Sequence, residues 1–151
     1  MTLSRIDGVL AFEGHRLDKL AEAFGTPSYI YSAQTIASNY RAFEHAFREL
    51  EPLICYAVKA NANLSILSKL ASLGSGFDIV SGGELARVKQ AGASTKHVVF
   101  SGVGKTADEI RDALIEGIHC FNVESEAELW LLASIAESLG VTAPVSIRVN
   151  P

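Results

Sequence analysis

The sequence predicts an α/β protein in which strands and helices alternate along most of the chain. Five short apolar segments begin at positions 53, 77, 97, 120 and 145, so roughly 20–25 residues separate one strand candidate from the next. A strand, a helix and two short loops occupy about that length. A helical pattern fills each interval, and alternation of this kind favours parallel strands joined by right-handed crossovers.

The first 52 residues are predicted to contain two strands and two helices. These are a strand over Val9–Phe12, a helix over Leu17–Phe24 that ends at Gly25, a strand over Pro27–Ser32 and a helix over Thr35–Leu50. The last helix is supported by apolar side chains at steps of three and four, which place them on one helical face.

The later part of the chain repeats a strand followed by a helix. The strands are predicted at Leu53–Lys59, Phe77–Val80, His97–Ser101, Cys120–Glu124 and Val145–Asn150. The helices between them are predicted at Leu64–Leu73, Gly83–Ala91, Ala107–Glu116 and Glu126–Leu139. The residues leave two architectures open, an open doubly wound sheet and a (β/α) barrel.

The ends of these helices carry local signals. A glycine follows each helix and suits a left-handed terminal position: Gly74, Gly92, Gly117 and Gly140. Three helices are preceded by the spacing of a capping box: Ser81 with Glu84, Thr106 with Glu109, and Ser125 with Glu128. Asn63 is predicted to cap the first of the four helices.

Composition argues against several classes of function. The net charge of −4 disfavours a nucleic-acid partner, which needs a basic surface. No apolar stretch is long enough for a membrane span or a signal peptide, so a cytoplasmic protein is expected. Cys55 and Cys120 show no metal-ligand spacing with each other or with the four histidines, so free, buried thiols and no metal site are predicted.

The segment Ser101–Thr106 looks like the end of a phosphate-binding loop. That motif requires a glycine five positions before Gly104, where this chain has Val99. The better interpretation is a strand exit followed by a helix that Thr106 caps.

Polar or charged residues stand at the predicted carboxyl ends of five strands. They are Lys59, Asp78 with Ser81, Ser101, Glu124, and Arg148 with Asn150. Both architectures place their chemistry at this end of the sheet, so one shared site is expected. Lys59 is the sharpest candidate because it ends an apolar strand. The strand period of two places Ala57 on the same face, where a small side chain leaves room for a flat ligand.

Each candidate also has a structural interpretation. Lys59 is explained equally well as a rim lysine whose amine reaches water. Asp78 and Arg148 are also consistent with partners of a neighbouring opposite charge. Glu84 fits the capping box with Ser81 better than a chemical role.

The ordered motifs resemble those of the pyridoxal-phosphate-dependent decarboxylases built on an alanine-racemase-like barrel. The matching segments are Tyr56–Asn61, Gly76–Leu85, Phe100–Lys105, Phe121–Ser125 with Glu128 and Leu129, and Arg148–Pro151. The resemblance implies an incomplete (β/α)8 TIM barrel that supplies the first five barrel strands. Residues 33–151 would form the first part of the cofactor-binding barrel. Residues 1–32 would form a segment associated with a C-terminal β-domain.

The same resemblance implies site residues and an activity. Lys59 would bind pyridoxal phosphate covalently, Ala57 would pack under its ring, Asp78 would lie near the lysine, and Arg148 would lie beside the pyridine ring. The full-length protein, expected to be a homodimer, would convert meso-2,6-diaminopimelate to L-lysine and CO2. The alternatives are an ornithine- or arginine-type decarboxylase and a non-catalytic regulatory homologue. The 151 residues alone are expected to be inactive.

Overall fold

The computed structural model describes residues 3–149 and Pro151. The chain divides into two compact units, with the boundary between Arg41 and Ala42. The domain boundary between residues 32 and 33, which the family resemblance implies, remains a prediction.

The first unit begins with a three-stranded antiparallel sheet. Its strands are β1 (Leu3–Ile6), β2 (Val9–Phe12) and β3 (His15–Arg16), in that order, and helix α1 (Leu17–Phe24) follows them. Two-residue turns join the strands, and every turn residue has a positive φ, which matches the twist of a tight hairpin. The predicted β2 and α1 are confirmed. The sequence analysis missed β1 and β3, although Asp7-Gly8 is a strong hairpin signal.

The strand predicted over Pro27–Ser32 is wrong. These residues form no strand and belong to neither sheet of the described chain, and Tyr29 is 90% exposed. Ser32 instead caps helix α2 (Ala33–Ala46), because its Oγ accepts a hydrogen bond from the Thr35 N–H at 2.9 Å. The helix therefore starts earlier than predicted, and a 3-10 turn at Arg48–Leu50 replaces its last residues.

The second unit is built on a five-stranded parallel sheet. Its elements are β4 (Cys55–Ala57), α3 (Leu64–Ser72), β5 (Gly76–Ile79), α4 (Gly82–Gln90), β6 (Val98–Phe100), α5 (Ala107–Ile115), β7 (Cys120–Val123), α6 (Glu126–Leu139) and β8 (Val145–Ile147). The strands lie in the order β4-β5-β6-β7-β8. A doubly wound sheet reverses its strand order, whereas a barrel wall adds each strand beside the last. The predicted α/β fold with a barrel-type strand order is confirmed.

The two faces of this sheet differ. One face is buried under the helices and carries Phe77, Ile79, Val98, Phe100, Phe121 and Val123. The strand register places another set on the opposite face, where the side chains are only half-buried: Cys55, Ala57, Asp78, Val99, Cys120 and Asn122. We call this half-buried surface the site face. It corresponds to the interior of a barrel.

The helix starts are capped largely as predicted. Asn63, Ser81, Thr106 and Ser125 each accept a backbone hydrogen bond from the first turn of the following helix. Only Thr106 and Glu109 complete the reciprocal capping box. Two glutamates have other partners, since the Glu84 carboxylate accepts from the Val80 N–H and the Glu128 carboxylate binds Lys105. Among residues 3–149, no helix combines the length and apolar character needed to cross a bilayer.

Candidate functional site

Lys59 lies just past the carboxyl end of β4, on a 3-10 turn formed by Val58–Ala60. Its side chain is exposed, whereas neighbouring Val58 is fully buried and anchors the turn. Among the described residues, the Lys59 amine makes no hydrogen bond or ion pair. Ala57 precedes it by two positions and pairs in register with Asp78 of β5. The turn therefore presents a primary amine at the end of the strand in which Ala57 pairs with Asp78.

Asp78 is the acidic residue of the site face and lies near the carboxyl end of β5. Its Oδ1 accepts a hydrogen bond from Ser101 Oγ at 2.5 Å. Ser101 Oγ in turn accepts from Asn122 Nδ2 at 2.8 Å. Three consecutive strands therefore contribute to one hydrogen-bonded row that ends on a carboxylate.

The two cysteines are free thiols, as predicted, although both are half-buried rather than fully buried. Burial raises the pKa of the Cys55 thiol, and the negative charge of Asp78 raises it further. Burial also raises the pKa of Cys120. The influence of Asp78 on Cys55 agrees with their common position on the site face.

Glu124 and Arg148 form an ion pair at the ends of β7 and β8. Arg148 Nη1 lies 2.9 Å from Glu124 Oε2, and the arginine side chain is 60% exposed. The other carboxylate oxygen of Glu124 accepts from the Gly102 N–H at 2.8 Å. The pairing agrees with the structural interpretation of Arg148, while its place beside a cofactor ring remains a prediction. Asn150, the other polar residue predicted at this strand end, lies outside the described residues.

Lys105 is buried at the same end of the sheet, and the sequence analysis gave it no role. Its Nζ donates to the carbonyl oxygens of Gly102 and Asn122, at 2.8 and 2.9 Å, and to Glu128 Oε1 at 2.7 Å. All three N–H bonds of the ammonium are therefore used. This lysine joins the loop after β6 to strand β7 and helix α6, so the rejection of a phosphate-binding loop at Ser101–Thr106 agrees with the structure.

The structure brings some predicted site residues together and separates others. Ala57 and Asp78 are neighbours in the sheet, and Lys59 follows Ala57 on the next turn. Arg148 follows β8, which lies at the opposite edge of the described sheet from β4. The sequence analysis missed the roles of Asn122 and Lys105, because both depend on contacts between elements rather than on local spacing.

Residues 33–151 match the family model for the pyridoxal-binding domain of pyridoxal-dependent decarboxylases. A similar curated relative is the diaminopimelate decarboxylase of Pseudomonas aeruginosa, with 56% identity over 150 residues, covering 99% of this chain and 36% of the relative. The chain thus spans about a third of the length of the curated relatives it matches. The resemblance inferred from the motifs is confirmed.

Solved structures agree with this relationship. The diaminopimelate decarboxylase of M. jannaschii in complex with L-lysine has a TM-score of 0.94 and 42% identity, covering 99% of this chain and 36% of that one. The Helicobacter pylori diaminopimelate decarboxylase, also complexed with L-lysine, has a TM-score of 0.87 and 48% identity, covering 90% of this chain and 34% of that one.

Proposed function

The chain belongs to the family of pyridoxal-dependent decarboxylases, and from this premise we propose that the complete protein decarboxylates meso-2,6-diaminopimelate. Its products would be L-lysine and carbon dioxide, which places the reaction in lysine biosynthesis. The names of the most similar curated relatives support this choice of substrate. The cofactor would be pyridoxal phosphate.

The observation that carries the proposal is the Lys59 amine. It stands on a turn anchored by buried Val58, is exposed, and is not engaged by any described residue. A free primary amine is the group that a covalently bound carbonyl cofactor requires. The neighbouring Ala57 offers a small surface for a flat ring, so the residues present fit the cofactor.

Bound pyridoxal phosphate supplies an electron sink for the negative charge left on the α-carbon when carbon dioxide departs. Lys59 would hold the cofactor and release it to the substrate amine. Ala57 would pack against the ring, and Asp78 would place a negative charge near the lysine. Arg148 would reach the ring from the end of β8, held in place by its ion pair with Glu124.

The proposed partners are a small amino-acid substrate and a second copy of the complete chain. The net charge of −4 favours these over nucleic acid. A homodimer in the cytoplasm is proposed on the family resemblance of the five motifs.

Lys59→Ala in the complete natural chain tests the proposal, with Lys69→Ala as a matched control on the exposed surface of α3. The wild type and the control should acquire a visible absorbance band on adding pyridoxal phosphate, and Lys59→Ala should not. The wild type and Lys69→Ala should also release L-lysine from meso-2,6-diaminopimelate. Faster turnover of ornithine or arginine would refute the proposed substrate, and a band that persists in Lys59→Ala would refute the role of the lysine.

A further inference from the structure

We propose that Asn122 and Ser101 form a directed hydrogen-bond relay that fixes the Asp78 carboxylate on the site face. Both are then positioning residues of the site, acting through Asp78 rather than on the substrate. The inference rests on the proposed function, because it takes Lys59 as the residue that binds the cofactor. Its members come from three consecutive strands: β5, the exit of β6, and β7.

The direction of the relay follows from the chemistry of its members. A side-chain amide nitrogen only donates, so the Asn122 Nδ2–H occupies a lone pair of the Ser101 hydroxyl. The single hydroxyl proton is then left for Asp78 Oδ1, at 2.5 Å. With the amide turned round, one hydroxyl proton would have to serve two acceptors. The amide orientation is therefore set by the carboxylate at the other end of the row.

Backbone hydrogen bonds hold Ser101 and Asn122 in place. The Ser101 N–H donates to the Ile79 carbonyl at 2.8 Å, which continues the β5–β6 pairing past the last strand residue. The Asn122 carbonyl accepts from the buried Lys105 ammonium at 2.9 Å. Because neither backbone can shift without losing a hydrogen bond, the two side chains are pre-oriented before any ligand binds.

The consequence is that one oxygen of the Asp78 carboxylate is committed to the relay. Among the described residues no donor is bound to Asp78 Oδ2, so that oxygen remains for the site. Among the described residues, the other ionisable side chains on the site face are Cys55 and Cys120, and Lys59 lies on the turn after β4. Glu124 and Arg148 are paired with each other at the strand ends.

The test is the dissociation constant of pyridoxal phosphate in the complete protein, followed by the visible band of the bound cofactor. Ser101→Ala removes the hydroxyl that orients Asp78, so the dissociation constant should rise about tenfold. Ser101→Thr keeps the hydroxyl and should keep the wild-type dissociation constant. Asn122→Ala leaves the Ser101 hydroxyl in place and should give a smaller rise.

Ser75→Ala is the matched control, because it removes a serine hydrogen bond at the opposite end of the same sheet. Ser75 Oγ donates to the Gly76 carbonyl at 2.6 Å. This variant should lose stability but keep the wild-type dissociation constant for the cofactor. Equal dissociation constants for Ser101→Ala and wild type, with the band abolished in Lys59→Ala, would overturn the relay and leave the proposed function standing. A wild type without any band would overturn the proposed function itself.

Discussion

Lys105 is a charged side chain with no exposed surface, and such a group is tolerated only when it is fully paired. Its ammonium joins the loop after β6, the backbone of β7 and the Glu128 carboxylate of α6. It also lies 5.6 Å from the centre of the Phe100 ring. One residue therefore fixes three elements at the end of the sheet where the site lies.

Lys105→Ala is expected to lower the free energy of unfolding by about 3–5 kcal/mol, because it leaves the Glu128 carboxylate buried without its partner. Urea unfolding followed by circular dichroism measures the loss. Replacing both partners with apolar residues, as in Lys105→Met with Glu128→Leu, should cost less than the single change, since no buried charge remains.

The control for this prediction is an exposed ion pair in the same unit. Arg111 lies 2.7 Å from Asp108, but the two side chains are 45% and 88% exposed. Arg111→Ala should therefore cost less than about 1 kcal/mol. If Arg111→Ala and Lys105→Ala lower the free energy of unfolding equally, burial of the Lys105–Glu128 pair contributes nothing to stability.

Glu109 ties two helices together through one carboxylate. Its Oε2 accepts from the Thr106 N–H and hydroxyl at the start of α5, and its Oε1 accepts from the Gly82 N–H at the start of α4. The Gly82 N–H and then the Thr106 N–H hold the pKa of Glu109 below its ordinary value. The ionised carboxylate therefore contributes to the stability of both helix starts.

Glu109→Gln should lower the free energy of unfolding by about 1 kcal/mol at neutral pH, because an amide has one acceptor oxygen where the carboxylate has two. The folded pKa lies below the unfolded one, so this contribution is complete above the ordinary glutamate pKa and is lost as pH falls through the folded value. Urea midpoints of wild type and variant should therefore converge at acidic pH. A difference that is constant with pH would contradict the ionic cap, and Glu137→Gln, at an exposed position of α6, should change little.

Local sequence signals predicted the helices better than the strands. Helix α6 was predicted at both ends, because Ser125 and Gly140 mark its boundaries. The strand predicted over Leu53–Lys59 is only Cys55–Ala57, since an apolar run does not show where ladder hydrogen bonds stop. Pro27–Ser32 has the composition of a strand but pairs with no strand among the described residues. Pairing is a tertiary property that the local sequence does not carry.

For the candidate site, as for the fold, local patterns predicted residues but not the contacts between elements. The strand period predicts Ala57 and Lys59 on one face, but β4 ends at Ala57 and Lys59 lies on the 3-10 turn that follows, so their shared face stays a prediction. The link from Asn122 through Ser101 to Asp78 requires the register of three strands, which sequence spacing leaves undetermined. Local patterns therefore found the residues at strand ends but not the contacts that orient them.

At the scale of the whole chain, the parallel sheet has two open edges. Within the part of the chain that the structure describes, strand β4 pairs only with β5, and β8 pairs only with β7. Val145 and Ile147 of β8 share the face on which the inner strands bury Phe121 and Val123, yet they are 43% and 68% exposed. Unpaired edges and exposed apolar side chains favour association between chains.

The 151 residues produced by themselves should therefore self-associate as concentration rises, which light scattering after size-exclusion chromatography measures. Ile147→Lys should reduce the association, because it places a charge on the apolar face of an edge strand. Ser146→Lys is the matched control: it adds the same charge on the same strand but on the opposite face, so it should reduce the association less. If both lysines act equally, net charge rather than the apolar face controls assembly. A wild-type chain that stays monomeric at every concentration would show that the open edges are protected within the chain itself.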